Sequence, residues 1–357
     1  MKKIKRAGIY LGCDPEFFFE KEGKIIGAEK VLPEGGLGTY GNGQVIIDGV
    51  QGELNPNPSQ CRESLAYFLS NCFSALGKSL PQKVKVVCPQ TVQVSKKELS
   101  ELKPENRRLG CSPSSNLYQN GITVGVDDPS NFLTRSAGGH VHIGMSGTGA
   151  DRDIMKKSPD RIIRMLDIIV GNFCVMIDRD KGNKKRRQHY GRAGEYRLPS
   201  HGIEYRTLSN FWLKSYTLMS MVMSFARLAV SIVTYDEETE QKILSLVKTE
   251  DIIKAINNNN YRLARKNYNK IKDILVKICD ENEYNPYDGT GYQNPPISSE
   301  MLPMIEFFID TVNEHGLDYW FKKDFKDVVQ HWINYREGGR HYGWESFILE
   351  LVREKMN

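Results

Sequence analysis

With 357 residues, 39% hydrophobic and 26% charged, the chain has the make-up of a globular protein with room for a large core in one domain plus an appendage, or in two. A net charge of +5 is too mild to imply nucleic acid unless the charge is clustered. Seven cysteines, an odd number with no Cys-x-x-Cys pair, argue against a disulfide framework or a cysteine-rich zinc site and fit a reducing cytoplasm.

The amino terminus, "MKKIKRAGIYLGCDPEFF", starts basic, but its apolar stretch is broken at Gly12 and ended at Asp14, too short for a signal peptide. Residues 7–150 carry short apolar runs ("IYLG", "QVIIDG", "KVKVVCP", "GITVGV", "HVHIG") punctuated by Gly, Pro and Asn, the pattern of strands and turns. Within "GGLGTYGNG", Gly36, Gly38 and Gly41 have dinucleotide-binding spacing. A strand rather than a helix follows, so the stretch reads as a glycine-rich turn, or a flexible hairpin over a site, and not a Rossmann unit. No Walker phosphate loop is present.

One helix is expected over 59–78, capped by Ser59 and ending near Gly77, and another over 159–178 from the spacing of Ile162, Met165, Leu166, Ile169 and Val170. The longest apolar run, 211–233, contains Lys214 and Arg227 and reads as a buried helix rather than a membrane span. From 236 onward the pattern is helical, interrupted by the Pro/Gly/Asn-rich connector 282–299, and no internal repeat is visible. The division expected is a strand-containing domain over 7–235 and a helical carboxy-terminal region over 236–357.

Four strand-like segments each set two polar residues at i and i+2, on one strand face: Asp14 and Glu16 in "CDPEFFF", Glu53 and Asn55 in "GELNPNPS", His140 and His142 in "GGHVHIG", Glu204 and Arg206 in "IEYRTLSNFW". A sheet gathering these residues would concentrate negative charge at great cost unless cations sat among the carboxylates. Carboxylates with an imidazole suit a hard cation such as Mg²⁺ or Mn²⁺, and an arginine among them suits phosphate.

The basic stretch 180–197 reads as a solvated loop, or as one that brings Arg186, Arg187 and Arg197 to the phosphates of a nucleotide or to an acidic substrate. It carries no interleaved aromatic platform, which disfavours nucleic acid as a partner. In "GCSPSSNLY", Ser112, Asn116 and Tyr118 are turn formers or substrate contacts.

"GCDPEFFF", "IIDGVQGELNPNPS", "GGHVHIG" and "RRQHYGRAGEYRLPSHGIEYRTLSNFW" resemble, in order, the motifs of phage-type carboxylate–amine ligases (amidoligases), relatives of glutamine synthetase and glutamate–cysteine ligase. The likeness spans about 8–230. It implies an α+β fold with a glutamine-synthetase-like antiparallel catalytic sheet, flanking helices, and an ATP- and Mg²⁺- or Mn²⁺-dependent enzyme that activates a carboxylate as an acyl phosphate and releases ADP and phosphate. By the resemblance, Asp14, Glu16, Glu53, His140 and Glu204 are metal ligands. By the same likeness His142 lies near the nucleotide phosphates and Arg206 at the γ-phosphate, where the basic run would add Arg186, Arg187 and Arg197, and Glu53 and Arg206 are the residues expected to act in catalysis. Where glutamate–cysteine ligases begin with Glu-x-Glu, this chain has Asp14-Pro15-Glu16.

The implied partners are a small-molecule or peptide carboxylate and an amine, with no membrane; a homo-oligomer is left open. Two other readings stand beside this one. A metal-dependent hydrolase would use the His-x-His strand and recruit His189 or His201. A non-catalytic protein would bind nucleotide or nucleic acid without turnover.

Overall fold

A computed structural model of the chain describes residues 8–109, 114–119, 121–122, 132–145, 150–281 and 327–338. The connector 282–299, Ser112 and most of "GITVGV" lie outside the described residues.

The strands are β1 (Ile9–Cys13), β2 (Glu16–Lys21), β3 (Lys24–Ile26), β4 (Leu37–Gly38), β5 (Gly43–Asp48), β6 (Gln51–Pro56), β7 (Val84–Val87), β8 (Thr91–Gln93), β9 (Ser115–Asn116), β10 (Gly121–Ile122), β11 (Thr134–Ser136), β12 (Val141–Met145), β13 (Glu195–Arg197) and β14 (Gly202–Tyr205). One six-stranded sheet runs β1-β12-β14-β13-β9-β10. A second runs β3-β2-β6-β5-β4 with β7 also on β2, and β8 pairs β11 in a ribbon. The pairings are antiparallel, and with the helices they make an α+β fold. The chain passes between the two large sheets at Asp14-Pro15, where β1 ends and β2 begins two residues later. Proline suits that corner, having no N–H to leave unpaired; its carbonyl accepts from Leu54 N at 3.0 Å.

Alternation explains the first sheet's two faces. Ile9, Leu11, Val141, Ile143 and Ile203 point into the core, alongside the helix Tyr216–Tyr235. That helix is long and apolar enough to cross a membrane, yet 83% of its Leu218–Tyr235 stretch is buried inside the protein. Arg227 is accommodated because its guanidinium reaches the carbonyls of Ile9 (3.0 Å) and Gln60. Lys214 falls in a preceding short turn, Asn210–Lys214, and the long helix starts afresh after Ser215, whose hydroxyl accepts from Leu218 N at 3.2 Å.

Two helix boundaries differ from expectation. Ser59 does not cap a helix, because its backbone pairs with Leu11 in both directions (2.8 and 2.9 Å); the helix starts at Arg62 and runs to Ser79. Gly77 lies inside it, where a Cβ would press on Ile333 and Val329 of the helix Val328–Gly338 at 3.0 and 3.1 Å, so it permits helix contact rather than ending a helix. The segment 159–178 is helical as expected but widens to a π turn over Asp167–Gly171. The "GGLGTYGNG" stretch is the β4–β5 hairpin, with Gly36 and Gly41 at positive φ and Tyr40 fully exposed, and no dinucleotide-binding unit follows. After residue 236 come helices Glu237–Leu246, Thr249–Asn257 and Tyr261–Glu281. Their Ile243, Ile256 and Leu275 join one hydrophobic cluster with Leu11, Phe173 and Phe225.

Candidate active site

The register of the first sheet arranges its solvent-side residues in rows. Gly12 lies opposite His142, His142 opposite Glu204, and Glu204 opposite Arg197. Two residues further along each strand on the same face come Asp14, His140, Arg206 and Glu195, and two residues the other way come Tyr10, Gly144 and Gly202. The i, i+2 pairs read from sequence therefore occupy two adjoining rows.

Contacts inside the rows are close. Asp14 bridges both histidines, its Oδ1 at 2.8 Å from His140 Nδ1 and its Oδ2 at 3.1 Å from His142 Nε2. Glu204 Oε1 lies 3.6 Å from His140 Nδ1, pairs with Arg206 Nη1, and lies 3.6 Å from Arg197 Nη1. The hydroxyl of Tyr190 meets His140 Nε2, while its ring faces the guanidinium groups of Arg186 and Arg206 at 4.6 and 5.2 Å. His142 Nδ1 is 2.9 Å from His201 Nε2.

The glycines before His140 make this approach sterically feasible. A Cβ on Gly138 would collide with the Tyr190 hydroxyl and His140 Nε2, and one on Gly139 would stand 2.5 Å from Trp212 Nε1. Trp212 Nε1 donates to the Gly139 carbonyl at 3.1 Å, and Gly138 N donates to Glu16 Oε2 at 2.7 Å.

Glu16 and Glu53 face each other across β2 and β6, and Asp48 at the end of β5 completes a second cluster. Asp14, His142 and Glu204 offer ligand atoms within 4.8 Å of one another, as do Glu16, Asp48 and Glu53. The Asp14-Pro15-Glu16 corner joins the two clusters. Gln51 Nε2 also donates to Glu16 Oε2 at 2.7 Å, and Asn55 Nδ2 to Glu53 Oε1 at 2.7 Å.

The electrostatics separate the two clusters. Burial, then repulsion from Asp48, pushes Glu16 up to about 8; burial, then Asp14 and Asp48, pushes Glu53 up to about 9. Asp48 is raised by burial and then by Asp14. Burial would also raise Asp14, but His140 and His142 outweigh it and hold that carboxyl well below the usual range. In Glu204, burial is likewise outweighed, by His140 and Arg206. For His140, burial outweighs Asp14 and brings the imidazole down to about 4, whereas in His142 the hydrogen bond and charge of Asp14 overcome burial and raise it.

Of the residues expected at the site, Asp14, Glu16, Glu53, His140, His142, Arg197, Glu204 and Arg206 are brought together. Arg186 and Arg187 are not offered to a phosphate. Arg186 donates to the carbonyls of Thr207 (3.1 Å), Arg206 (3.3 Å) and Leu208 (2.5 Å), and Arg187 to Gly191 O (3.3 Å) and Asn259 Oδ1 (2.9 Å). Both are buried and brace the loop leading into β13. Asn116 is likewise structural, bonding Ala193 O at 3.0 Å and accepting from Tyr118 N. His189 packs edge-on against Phe132 and makes no contact with the histidine pair.

Asp48, Tyr190 and Glu195 escaped the sequence reading. Asp48 sits in "IIDGVQGE", where Asp-Gly signals a hairpin turn. The signal that exposes it is cross-strand, since Asp48 opposes Gln51, two residues before Glu53 on the same strand face.

An antiparallel sheet face that concentrates carboxylates, imidazoles and arginines has the chemistry to hold cations and phosphate. Residues 129–287 match the family model described as Phage phiEco32-like COOH.NH2 ligase-type 2, bearing out the resemblance carried by the sequence motifs. The match includes "GGHVHIG" and "GIEYRTLSNFW" and reaches residue 287, well into the helices, whereas the motif likeness was expected to stop near 230. No curated protein matches the sequence. Among solved structures, a bifunctional glutathione synthetase from Pasteurella multocida is similar at TM-score 0.40 and 11% identity, covering 98% of this chain and 49% of that one. This chain thus spans about half the length of that protein.

Proposed function

We propose that the protein is an ATP- and divalent-metal-dependent carboxylate–amine ligase with a glutamine-synthetase-like sheet, activating its carboxylate as an acyl phosphate. The observation that carries this reading is the pair of ligand clusters, Asp14/His142/Glu204 and Glu16/Asp48/Glu53, joined at one corner and flanked by Arg197 and Arg206. The donor set fits hard cations. Asp14, His140 and His142 converge as buried oxygen and nitrogen donors, and Glu16 and Glu53 resist ionisation as they stand. Asp14, Glu16, Asp48, Glu53, His142 and Glu204 would hold the cations, His142 taking the ligand place that the resemblance gives to His140, which braces Asp14 instead. When bound, Mg²⁺ or Mn²⁺ supplies positive charge to the carboxylates and to phosphate oxygens.

The chain's own residues meet the remaining demands. In the first step a substrate carboxylate oxygen attacks the γ-phosphorus of ATP and the bond to the bridging oxygen breaks, leaving ADP. In the second an amine displaces phosphate from the acyl carbon and loses a proton, forming the amide. The first step brings two anions together and the second expels a phosphate anion, so both need positioning and positive charge rather than a protein nucleophile. Arg206, held by Glu204 and facing the Tyr190 ring, and Arg197, beside Glu204 in the next row, supply fixed guanidinium groups for phosphate. Tyr190 and Asp14 hold His140 from its two nitrogens and fix the ring's orientation.

The test is to incubate the protein with ATP, Mg²⁺ and a small-molecule extract and to look by mass spectrometry for metabolite pairs fused with loss of water. Production of ADP and phosphate is expected, with one ¹⁸O passing from labelled carboxylate into phosphate. Production of AMP and pyrophosphate, unlabelled phosphate, or no ATP consumption would overturn the reading.

A further inference from the structure

The row beyond His142 and Glu204 holds Tyr10, Gly144 and Gly202, and Gly12 stands beside His142. Side chains are therefore missing from the solvent face of β12 and β14 just where the charged rows end, and on β1 at Gly12 one row nearer, while Tyr10 keeps its ring beside Gly144. Above this bare backbone lies a cavity of about 480 Å³ whose walls include Pro56, Pro58, Met145 and His201. It borders the Asp14/His142/Glu204 cluster at His142, which belongs to both.

The glycines clear space rather than relieve backbone strain at two of these positions. A Cβ on Gly12 would only touch Pro58 at 3.4 Å and His142 at 3.5 Å, and one on Gly144 would meet the His201 carbonyl at 3.2 Å. Strand positions favour residues with larger side chains, so paired glycines here leave room for a ligand to lie on the sheet. The lining contains no carboxylate, ammonium or guanidinium among the described residues. Apart from the imidazoles of His142 and His201 the described lining offers nothing to pair with a charge, whereas a neutral ring or branched chain gains contact with the Tyr10 ring, the proline rings and Met145. The arginines suited to phosphate stand across the row, just past β14 and on β13, two and three strands away from β1.

We infer that this glycine-floored trough receives an uncharged aromatic or aliphatic group of the carboxylate or amine substrate, while that substrate's polar end lies at the Asp14/His142/Glu204 cluster. The inference rests on the ligase reading and adds the substrate's class to it: an apolar side chain rather than an acidic or basic one.

The test uses the full chain with Mn²⁺ and ADP, and four amino acids as probes that share a carboxylate and an amine and differ in side chain: L-phenylalanine, L-leucine, L-glutamate and L-lysine. Binding is followed by calorimetry on the native protein and on Gly144→Val, with Gly12→Ala as a second variant should the first not fold. Phenylalanine or leucine should bind at least about tenfold more tightly than glutamate and lysine. That preference should be lost on filling the trough, with ADP·Mn²⁺ affinity changed less than about twofold. The inference is overturned if none of the four binds, if the charged probes bind as well as the apolar ones, or if the variant loses ADP·Mn²⁺ affinity tenfold, which would make the trough the nucleobase seat. Failure of the native protein to bind ADP·Mn²⁺ at all would count against the ligase reading, a separate outcome from trough selectivity.

Discussion

Replacing Asp167 with asparagine should change the pH dependence of stability in a direction the structure specifies. Asp167 is wholly buried at the start of the π turn, where its Oδ1 accepts from the hydroxyls of Tyr205 (2.7 Å) and Thr207 (3.4 Å). Burial nevertheless pushes the carboxyl from 3.8 up to about 7. The unfolded chain gives up this proton first, so between those two values the folded state holds more protons and stability falls as pH rises, the full cost being present above 7. With each unit worth 1.36 kcal/mol, the carboxyl should cost about 2–3 kcal/mol more at about pH 8 than at about pH 5. Asparagine retains an acceptor for Tyr205 and has no proton to lose. Urea unfolding of both proteins at the two pH values should therefore show the variant gaining that amount relative to the parent. A difference independent of pH would mean that Asp167 titrates as an ordinary carboxyl, and the burial argument would fail.

Glu53→Gln should lower ATP turnover by about two orders of magnitude through loss of a cation-binding charge. The metal-free fold should be no less stable, because Asp14, Asp48 and Glu16 all oppose that charge; near-normal turnover would remove Glu53 from the site. Arg206→Lys should reduce turnover about a hundredfold while nucleotide affinity changes less than about tenfold, since an ammonium does not reproduce a planar fork held by Glu204. Steady-state rates and ADP titration check this, and unchanged turnover would make Arg206 a purely structural ion-pair residue. Gly139→Ala should cost about 1–3 kcal/mol in urea unfolding, because the new methyl would stand 2.5 Å from Trp212 Nε1. A neutral result would mean that the backbone there yields easily.

What could be read in the sequence depended on how local its cause was. The i, i+2 pairs were legible because strand alternation is local, and His140, His142, Glu204 and Arg206 share a face accordingly. Buried arginines were not. Arg186 and Arg187 sit in a run of charges that reads as solvated, and only the folded loop supplies the carbonyls that bind them. Ser59 has the side chain of a helix cap, yet long-range pairing with Leu11 claims its backbone. Asp48 was hidden by its own turn signal, because the register that brings it to Glu53 follows from pairing two strands.

The Asp14-Pro15-Glu16 corner also limits where the chain can change length. Two peptide steps span at most about 7 Å, and within them the chain leaves one sheet, enters the other and supplies a carboxylate to each cluster. One inserted residue would not merely lengthen the link. It would reverse side-chain parity in whichever strand absorbed it, turning Asp14 toward the core or moving Glu16 into the place of Phe17. The β4–β5 hairpin, with Tyr40 fully exposed at its tip, carries no such parity constraint. Length variation is thus expected to collect at that tip, while the corner keeps a fixed count of one residue between its two acids.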